Sequence, residues 1–223
     1  MTATVASPDP VQERLAVYDA LTRRDAGLAR LAARVGTPDP FFWGMLEDAA
    51  SGNWFAELAL HIVSQQISTV AALTIFGRLR DRLGGTVGPA PIIAASAEDL
   101  RAAGLSGAKV TSLRDLSERV LDGRLSFHRL AVSDDITAQA ELEEVRGVGP
   151  WSAQMFLLHN LRRPDVFPAG DIGLQRAAQS AFGLARRPTA AELALRAERW
   201  RPYRAYAAAL LWADGTNHPH QGA

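Results

Sequence analysis

The sequence has no cysteine, and Lys109 is the single lysine among its 24 basic residues. Without cysteine, the chain can form no disulfide bond, no thiolate zinc site and no cysteine-held iron–sulfur cluster. The five histidines are not spaced as a ligand group, so we expect no metal and no other cofactor. Because the other basic residues are all arginine, the chain is also nearly without amine nucleophiles.

Long apolar runs and a net charge are missing as well. No stretch approaches the roughly 20 apolar residues that a membrane-spanning helix requires, so we expect no membrane association. Residues 1–12 lack the basic start and apolar run of a signal peptide, and we interpret them as a disordered tail. The formal net charge of +0 gives no electrostatic indication of a nucleic-acid partner.

What the sequence does contain is helical periodicity. Apolar residues recur at three- and four-residue steps through residues 54–83, 107–121 and 190–213. We find no convincing alternating strand segment, and the run 89–94 is too rich in proline to count as one. The pattern therefore predicts an all-α protein with eight to ten helices. A chain of 223 residues suffices for one large domain or two closely associated lobes.

One turn between two predicted helices contains more glycine than a reversal of the chain needs. Residues 143–155 read EEVRGVGPWSAQM, and two glycines around a small apolar residue leave a whole edge of the backbone without side chains. Pro150 suits the first turn of the following helix. The amides of Gly147, Gly149, Trp151 and Ser152 would then point outward at the positive end of a helix dipole. Either this is a tight helical corner, or it binds an anion such as a phosphate.

The surrounding sequence resembles a known enzyme family. Residues 142–177, LEEVRGVGPWSAQMFLLHNLRRPDVFPAGDIGLQRA, are similar to the helix–hairpin–helix, Gly/Pro-rich loop and aspartate of base-excision DNA glycosylases. They most resemble the 3-methyladenine DNA glycosylase II family. Three further segments match in family order, so that the resemblance covers about residues 45–215: HIVSQQISTVAA, LRAAGLSGAKVTSLRDLSERVLDGRL and RWRPYRAYAAALLW.

The resemblance implies a fold as well as an activity. We expect the all-α helix–hairpin–helix glycosylase fold, with two helical lobes and a cleft between them. Residues 13–223 would form this single domain, in which one lobe covers about residues 90–184 and carries the hairpin. The N- and C-terminal helices would form the other lobe. The partner would be double-stranded DNA with alkylated bases, and a bacterial protein of this kind would act in the cytoplasm, near the nucleoid.

The family's catalytic aspartate falls on Asp171. Such an enzyme extrudes the damaged nucleotide and hydrolyses the bond between base and sugar. A carboxylate close to the sugar would stabilise the positive charge that develops there, and it would also position or deprotonate the attacking water. Taken alone, an aspartate just before a helix is most simply an N-cap, and the two roles are compatible.

Gln66, in the segment SQQIS, matches the family position that fills the space vacated by the extruded nucleotide. It is polar here, so it would hydrogen-bond the orphaned base as well as stack. The alternative for both Gln65 and Gln66 is a solvated glutamine at a helix end, and this alternative is stronger for Gln65. The hairpin residues Gly147 and Gly149, with Trp151 and Ser152, would hold a DNA phosphate through donors that ignore base sequence.

Trp151 bears on the type of reaction. Lyase-competent relatives have a lysine directly after the Gly-x-Gly-x turn, where this chain has tryptophan. The resemblance therefore implies a monofunctional glycosylase that leaves an abasic site, with water as the nucleophile. We separately expect a monomer. Trp151 would line the base pocket with Trp212 and stack on a cationic alkylated purine. For each, the alternative is a buried structural tryptophan. Met155 also falls on the pocket, where relatives often have tyrosine, and thins its aromatic wall.

Other function classes remain open at this point. A non-catalytic helix–hairpin–helix module also binds DNA backbone, but it needs neither Asp171 nor the glutamine pair. A sibling glycosylase for oxidised or mismatched bases mostly has a lysine after the turn or cysteine ligands for a cluster, and both are missing here. A helical interaction domain unrelated to DNA leaves the Gly-x-Gly turn unexplained.

Overall fold

The computed structural model describes residues 9–42, 47–50 and 52–217. Every regular element in these ranges is a helix, which confirms the all-α prediction. In chain order the helices are α1 (Pro10–Arg24), α2 (Ala26–Val35), α3 (Glu47–Ala50), α4 (Trp54–Ser64), α5 (Thr69–Arg82), α6 (Pro89–Ala94), α7 (Ala97–Ala102), α8 (Gly107–Leu121), α9 (Phe127–Val132), α10 (Asp135–Glu143), α11 (Pro150–His159), α12 (Ile172–Ala181), α13 (Ala190–Ala197) and α14 (Arg204–Asn217), with a 3-10 turn at Glu198–Trp200.

The described part of the chain thus has more helices than the eight to ten predicted. The excess includes short elements: α3 has four residues, and α6 and α9 have six each. Fewer than two helical turns give no periodic pattern that a sequence window can detect. Of the predicted tail, residues 1–8 lie outside the described ranges. α1 begins at Pro10, inside the predicted tail of residues 1–12, and the Asp9 side chain caps this helix by accepting the Val11 amide at 3.0 Å.

The helices form two compact units. Phe41–Arg163 makes up one, which we call the central unit, and Met1–Pro40 with Pro164–Ala223 makes up the other, the terminal unit. The central unit begins earlier than the lobe of about 90–184 given by the sequence, and it also ends earlier. α4 accounts for the earlier start, because it packs against α5, α8 and α11. The terminal unit combines the N- and C-terminal helices.

The core of the central unit is built from α4, α8 and α11. Leu58, Leu113 and Phe156 come from these three helices and are completely buried. Burial of each such side chain stabilises the fold by roughly 1.5–3 kcal/mol. His61 lies in the same core, where burial lowers its pKa to about 3. The neutral imidazole donates from Nε2 to Asn160 Oδ1 at 2.8 Å, which ties α4 to the end of α11.

The terminal unit has its own aromatic core. Trp200 is completely buried, with its ring 5.7 Å from that of Phe167 and 6.0 Å from that of Phe182. Its indole donates to the Asp25 carboxylate at 3.0 Å, and the same carboxylate caps α2. α14 packs against α12 and α2 around this core. In the described ranges of both units, each helix is too short or too polar to cross a bilayer.

Candidate functional site

The turn between α10 and α11 contains two glycines, Gly147 and Gly149, that differ in backbone conformation and in the space around them. Gly147 has φ +81, and a side chain there would collide with the Ser112 hydroxyl of α8. Backbone conformation and packing therefore both require glycine at this position. Gly149 has φ −100, and an added Cβ would find nothing within 4 Å. The interior of the protein does not require the second glycine, which faces open space.

The N-cap position of α11 provides no side-chain cap. Gly149 is the N-cap and provides no side-chain hydrogen bond, and Pro150 occupies the first helical position. In the described ranges, neither the Gly147 amide nor the Gly149 amide donates to a protein acceptor. Such donors at a helix N-terminus, together with the dipole, favour an anion.

The side chains that follow this turn point in different directions. Trp151 is 37% exposed, whereas Ser152 and Met155 are 4% and 7% exposed. The Ser152 hydroxyl accepts a hydrogen bond from Gln65 Nε2 at 3.0 Å. A phosphate at the turn would thus meet the Ser152 main chain but not its hydroxyl. Met155 belongs to the packed core and offers little surface to any pocket.

The glutamine pair after α4 divides into an inward and an outward residue. Gln65 turns toward the hairpin, where its Nε2 donates to the Gly147 carbonyl at 2.9 Å and to Ser152. Gln66 is exposed and has φ +59, the left-handed region that residues other than glycine rarely adopt. The sequence did not reveal the role of Gln65, because two identical adjacent residues carry no signal of which one turns inward.

Lys109, the single lysine, forms hydrogen bonds at the end of α4, next to the glutamine pair. Its ammonium donates to the Val63 carbonyl at 2.7 Å and to the Gln65 carbonyl at 3.0 Å. Partial burial lowers the pKa of Lys109. The lysine therefore caps the C-terminal end of α4 in the central unit, and no sequence pattern pointed to this contact.

Asp171 lies in the terminal unit, at the start of α12. Its side chain caps the helix by accepting the Leu174 amide at 2.7 Å, so the N-cap interpretation of the sequence is correct. The same carboxylate oxygen accepts the Trp212 indole N–H of α14 at 3.1 Å. Asp171 and Trp212 are both partly exposed. Two predicted site residues from distant parts of the sequence are therefore in direct contact.

The loop that leads to Asp171 is fixed at both ends. Asp165 accepts hydrogen bonds from Arg201 and Arg204, each at 2.9 Å. Closer to Asp171, the buried Gln175 side chain donates to the Ala169 carbonyl at 2.9 Å. A carboxylate on such a loop is held without being buried. The described residues include no group of three His, Asp or Glu side chains arranged to bind a metal.

Known proteins share both the sequence and the fold. Residues 60–202 match the family model of the HhH-GPD superfamily base excision DNA repair protein. DNA-3-methyladenine glycosylase 1 of Schizosaccharomyces pombe is 30% identical over 162 residues, which are 71% of this chain and 71% of that protein.

Two solved structures extend the likeness. The crystal structure of a DNA-3-methyladenine glycosidase from Bacillus halodurans matches with a TM-score of 0.75 at 30% identity, over 89% of this chain and 88% of that one. A 3-methyladenine DNA glycosylase of Schizosaccharomyces pombe in complex with abasic DNA matches with a TM-score of 0.76 at 26% identity, over 88% and 95%.

Some relatives are much longer than this chain. This chain spans 55% of the length of a Bacillus subtilis relative that is 32% identical, and 34% of the length of two Mycobacterium tuberculosis relatives that are 35% identical. The matched region nevertheless includes the hairpin turn, the glutamine pair and Asp171. The chain belongs to the HhH-GPD superfamily of base excision DNA repair proteins and, within it, to the 3-methyladenine DNA glycosylase family.

Proposed function

We propose that the protein is a DNA glycosylase that releases alkylated purines, of the 3-methyladenine and 7-methylguanine type, and leaves an abasic site. The observation that carries the proposal is the Asp171 carboxylate, which is held at a helix start by the Leu174 amide and the Trp212 indole. The names of its relatives support this activity, and so does the abasic DNA bound to a structural neighbour.

Asp171 would act mainly through its charge. As the bond between base and sugar breaks, the electron pair leaves with the purine and positive charge develops on the sugar. A carboxylate that is already oriented stabilises this charge without reorganisation at the moment of reaction. Water then attacks the sugar carbon, and Asp171 accepts the proton that this water loses. The sugar is left with a hydroxyl group.

The central unit would supply the contacts with DNA. The uncapped amides of Gly147 and Gly149, with those that begin α11, would bind a phosphate. Backbone donors suit an enzyme that must inspect DNA of any sequence. Gln66, exposed after α4, would fill the space of the extruded nucleotide, whose extrusion costs a few kcal/mol.

The reaction would be purely hydrolytic. Trp151 occupies the place of the lysine that lyase-competent relatives use, and its exposed ring would stack on the cationic base. The one lysine of the chain, Lys109, donates to two carbonyls near the end of α4. We further propose that the protein works as a monomer in the cytoplasm, near the nucleoid, and without a cofactor.

The test is direct. Duplex DNA that contains methylated purines is incubated with the full chain, and released bases are separated by chromatography. We expect free methylated purines and strand breaks only after alkali. Breaks without alkali would contradict the hydrolytic mechanism, and DNA binding without base release would reduce the protein to a binding module.

A further inference from the structure

A row of polar residues on α8 contacts both elements of the central unit that we propose to bind DNA. Lys109, Ser112 and Asp115 are spaced by three residues, so they share one face of the helix. We call these three residues the α8 stripe. Lys109 contacts the end of α4, and the other two contact the hairpin turn. One helix therefore joins the proposed plug to the proposed phosphate site.

The Lys109 end of the stripe fixes the residues just before Gln66. The last carbonyls of a helix lack intrahelical partners and carry partial negative charge. The Lys109 ammonium donates to two carbonyls in this region, those of Val63 and Gln65, at 2.7 and 3.0 Å. It is therefore both a hydrogen-bonding cap and a charge that favours this end of α4.

The other end of the stripe fixes the hairpin. The Asp115 carboxylate accepts the Arg146 amide at 2.8 Å and the Arg119 side chain at 3.0 Å. Ser112 packs so closely against Gly147 that an added Cβ would collide with its hydroxyl. The approach to the turn and its first glycine are therefore both positioned by α8.

Gln65 closes the connection between the two elements. Lys109 holds its main-chain carbonyl, while its side-chain amide donates to the Gly147 carbonyl and the Ser152 hydroxyl. Gln66 is the next residue, and its left-handed conformation is one that a residue with a side chain adopts at a cost. Such a conformation persists only where the surroundings determine it.

We infer that Lys109 and Gln65 are positioning residues that hold Gln66 in its left-handed conformation and at a fixed place relative to the hairpin. The inference rests on the function proposed above. A plug that is already in place inserts as the nucleotide leaves the stack, without an ordering step of its own. Without the two contacts, Gln66 relaxes to ordinary backbone angles and fills the space less well.

Lys109→Met tests this, because methionine keeps an unbranched apolar stem and removes the charge and the donors. With the lesion in a normal base pair, we expect base release to slow roughly tenfold, an effect typical of a lost preorganised contact. With the same lesion opposite an abasic site, extrusion needs less help and the loss becomes severalfold smaller. The fluorescence of 2-aminopurine next to the lesion reports extrusion directly, and its increase on binding is expected to shrink.

A double-mutant cycle separates positioning from general support of the fold. If Lys109 acts through Gln66, then Lys109→Met has almost no further effect in a Gln66→Ala background. Arg101→Met is the matched control, since it removes one positive charge from an exposed position on α7 of the same unit. This variant should extrude and release bases like the unmodified protein.

The outcomes distinguish the inference from the function on which it rests. Additive effects of Lys109→Met and Gln66→Ala, or equal slowing on both substrates with a lower melting temperature, would overturn the inference alone. An unmodified protein that releases no base from either substrate would instead overturn the proposed function. Release by the unmodified protein with coupled variants supports both.

Discussion

The two helices that carry the proposed phosphate site and the proposed catalytic carboxylate begin in opposite ways. α11 begins at Pro150, and its N-cap residue Gly149 provides no side-chain cap. α12 follows Asp171, whose own carboxylate caps the helix at 2.7 Å. Before the first start, the amides of Gly147 and Gly149 have no acceptor among the described residues, whereas the second start uses a main-chain donor to orient an acidic side chain.

The rest of the molecule shows how unusual the first arrangement is. Among the described helices with an assigned N-cap, only α6 and α11 lack a capping side chain, and in both a glycine precedes a proline. The others have a polar cap, as in Ser106 before α8 and Asp134 before α10. Because no capping side chain fills the space in front of a Gly-Pro start, such a start leaves room for an anion.

The largest effect is expected from removing the negative charge of Asp171 at the capped start of α12. Asp171→Asn keeps a good N-cap and an oxygen that accepts from Leu174 and Trp212, and removes only the negative charge. We expect single-turnover base release to fall on the order of 10²–10³-fold, as for other preorganised electrostatic contacts. Affinity for abasic DNA and the melting temperature should change little.

Asp9→Asn is the matched control for this variant, since Asp9 caps α1 in the same unit through the Val11 amide. It should leave base release unchanged. If Asp171→Asn were as active as the unmodified protein, the carboxylate would be a cap and nothing more. A large fall in melting temperature would show that its main role is structural.

Gly147 should give the largest stability effect at the uncapped start. In Gly147→Ala, a side chain enters at φ +81 and collides with Ser112, so we expect a loss of about 2 kcal/mol or more in the free energy of unfolding. Gly123→Ala is the control, since Gly123 has φ +79 and open space around an added Cβ. Urea denaturation of both variants separates backbone strain from the collision. Equal losses would mean that Ser112 simply moves aside.

Substitution of Trp212 tests whether Asp171, at the start of α12, needs the hydrogen bond from the indole as well as the one from the Leu174 amide. Trp212→Phe keeps an aromatic ring and removes the N–H that contacts Asp171, so base release should slow roughly tenfold, as for a lost hydrogen bond to a charged group. Trp54→Phe changes another partly exposed tryptophan, in the central unit, and should have no effect. Unchanged rates with weaker binding of the damaged base would instead favour the base-pocket role that the resemblance implied.

The sequence predicted more about these two starts than about what surrounds them. Gly147, Gly149 and Pro150 form a local pattern, and the position of Asp171 before an apolar helical repeat is also local. Both were read correctly as helix starts, because the chemistry of capping depends on residues three or four positions apart. The long helices α4, α5 and α8 were predicted from apolar periodicity, which is also a local pattern.

Contacts between residues that are far apart along the chain were not predicted from the sequence. Lys109 is far along the chain from Val63, and the contact of Asp171 with Trp212 joins two helices separated by α13. Neither pair produces a periodic pattern. Similarly, nothing in the letters SQQIS specifies the inward turn of Gln65 or the left-handed backbone of Gln66. The site residues were named by resemblance, whereas the network that holds them became visible only in three dimensions.

Gly149→Ser makes the uncapped start resemble the capped one, and it has the smallest expected effect. Serine caps a helix better than glycine, so stability should stay the same or rise slightly, while its hydroxyl occupies the open space in front of the turn. DNA binding should weaken by about 1 kcal/mol, roughly fivefold, for the partial loss of one phosphate contact.

Gly88→Ser makes the same change at the Gly-Pro start of α6 and should leave DNA binding unaffected. Titration of both variants with abasic duplex measures the difference. If the two bind DNA equally well, the open space at Gly149 does not face a phosphate, and α11 differs from α12 only in how its first turn is capped.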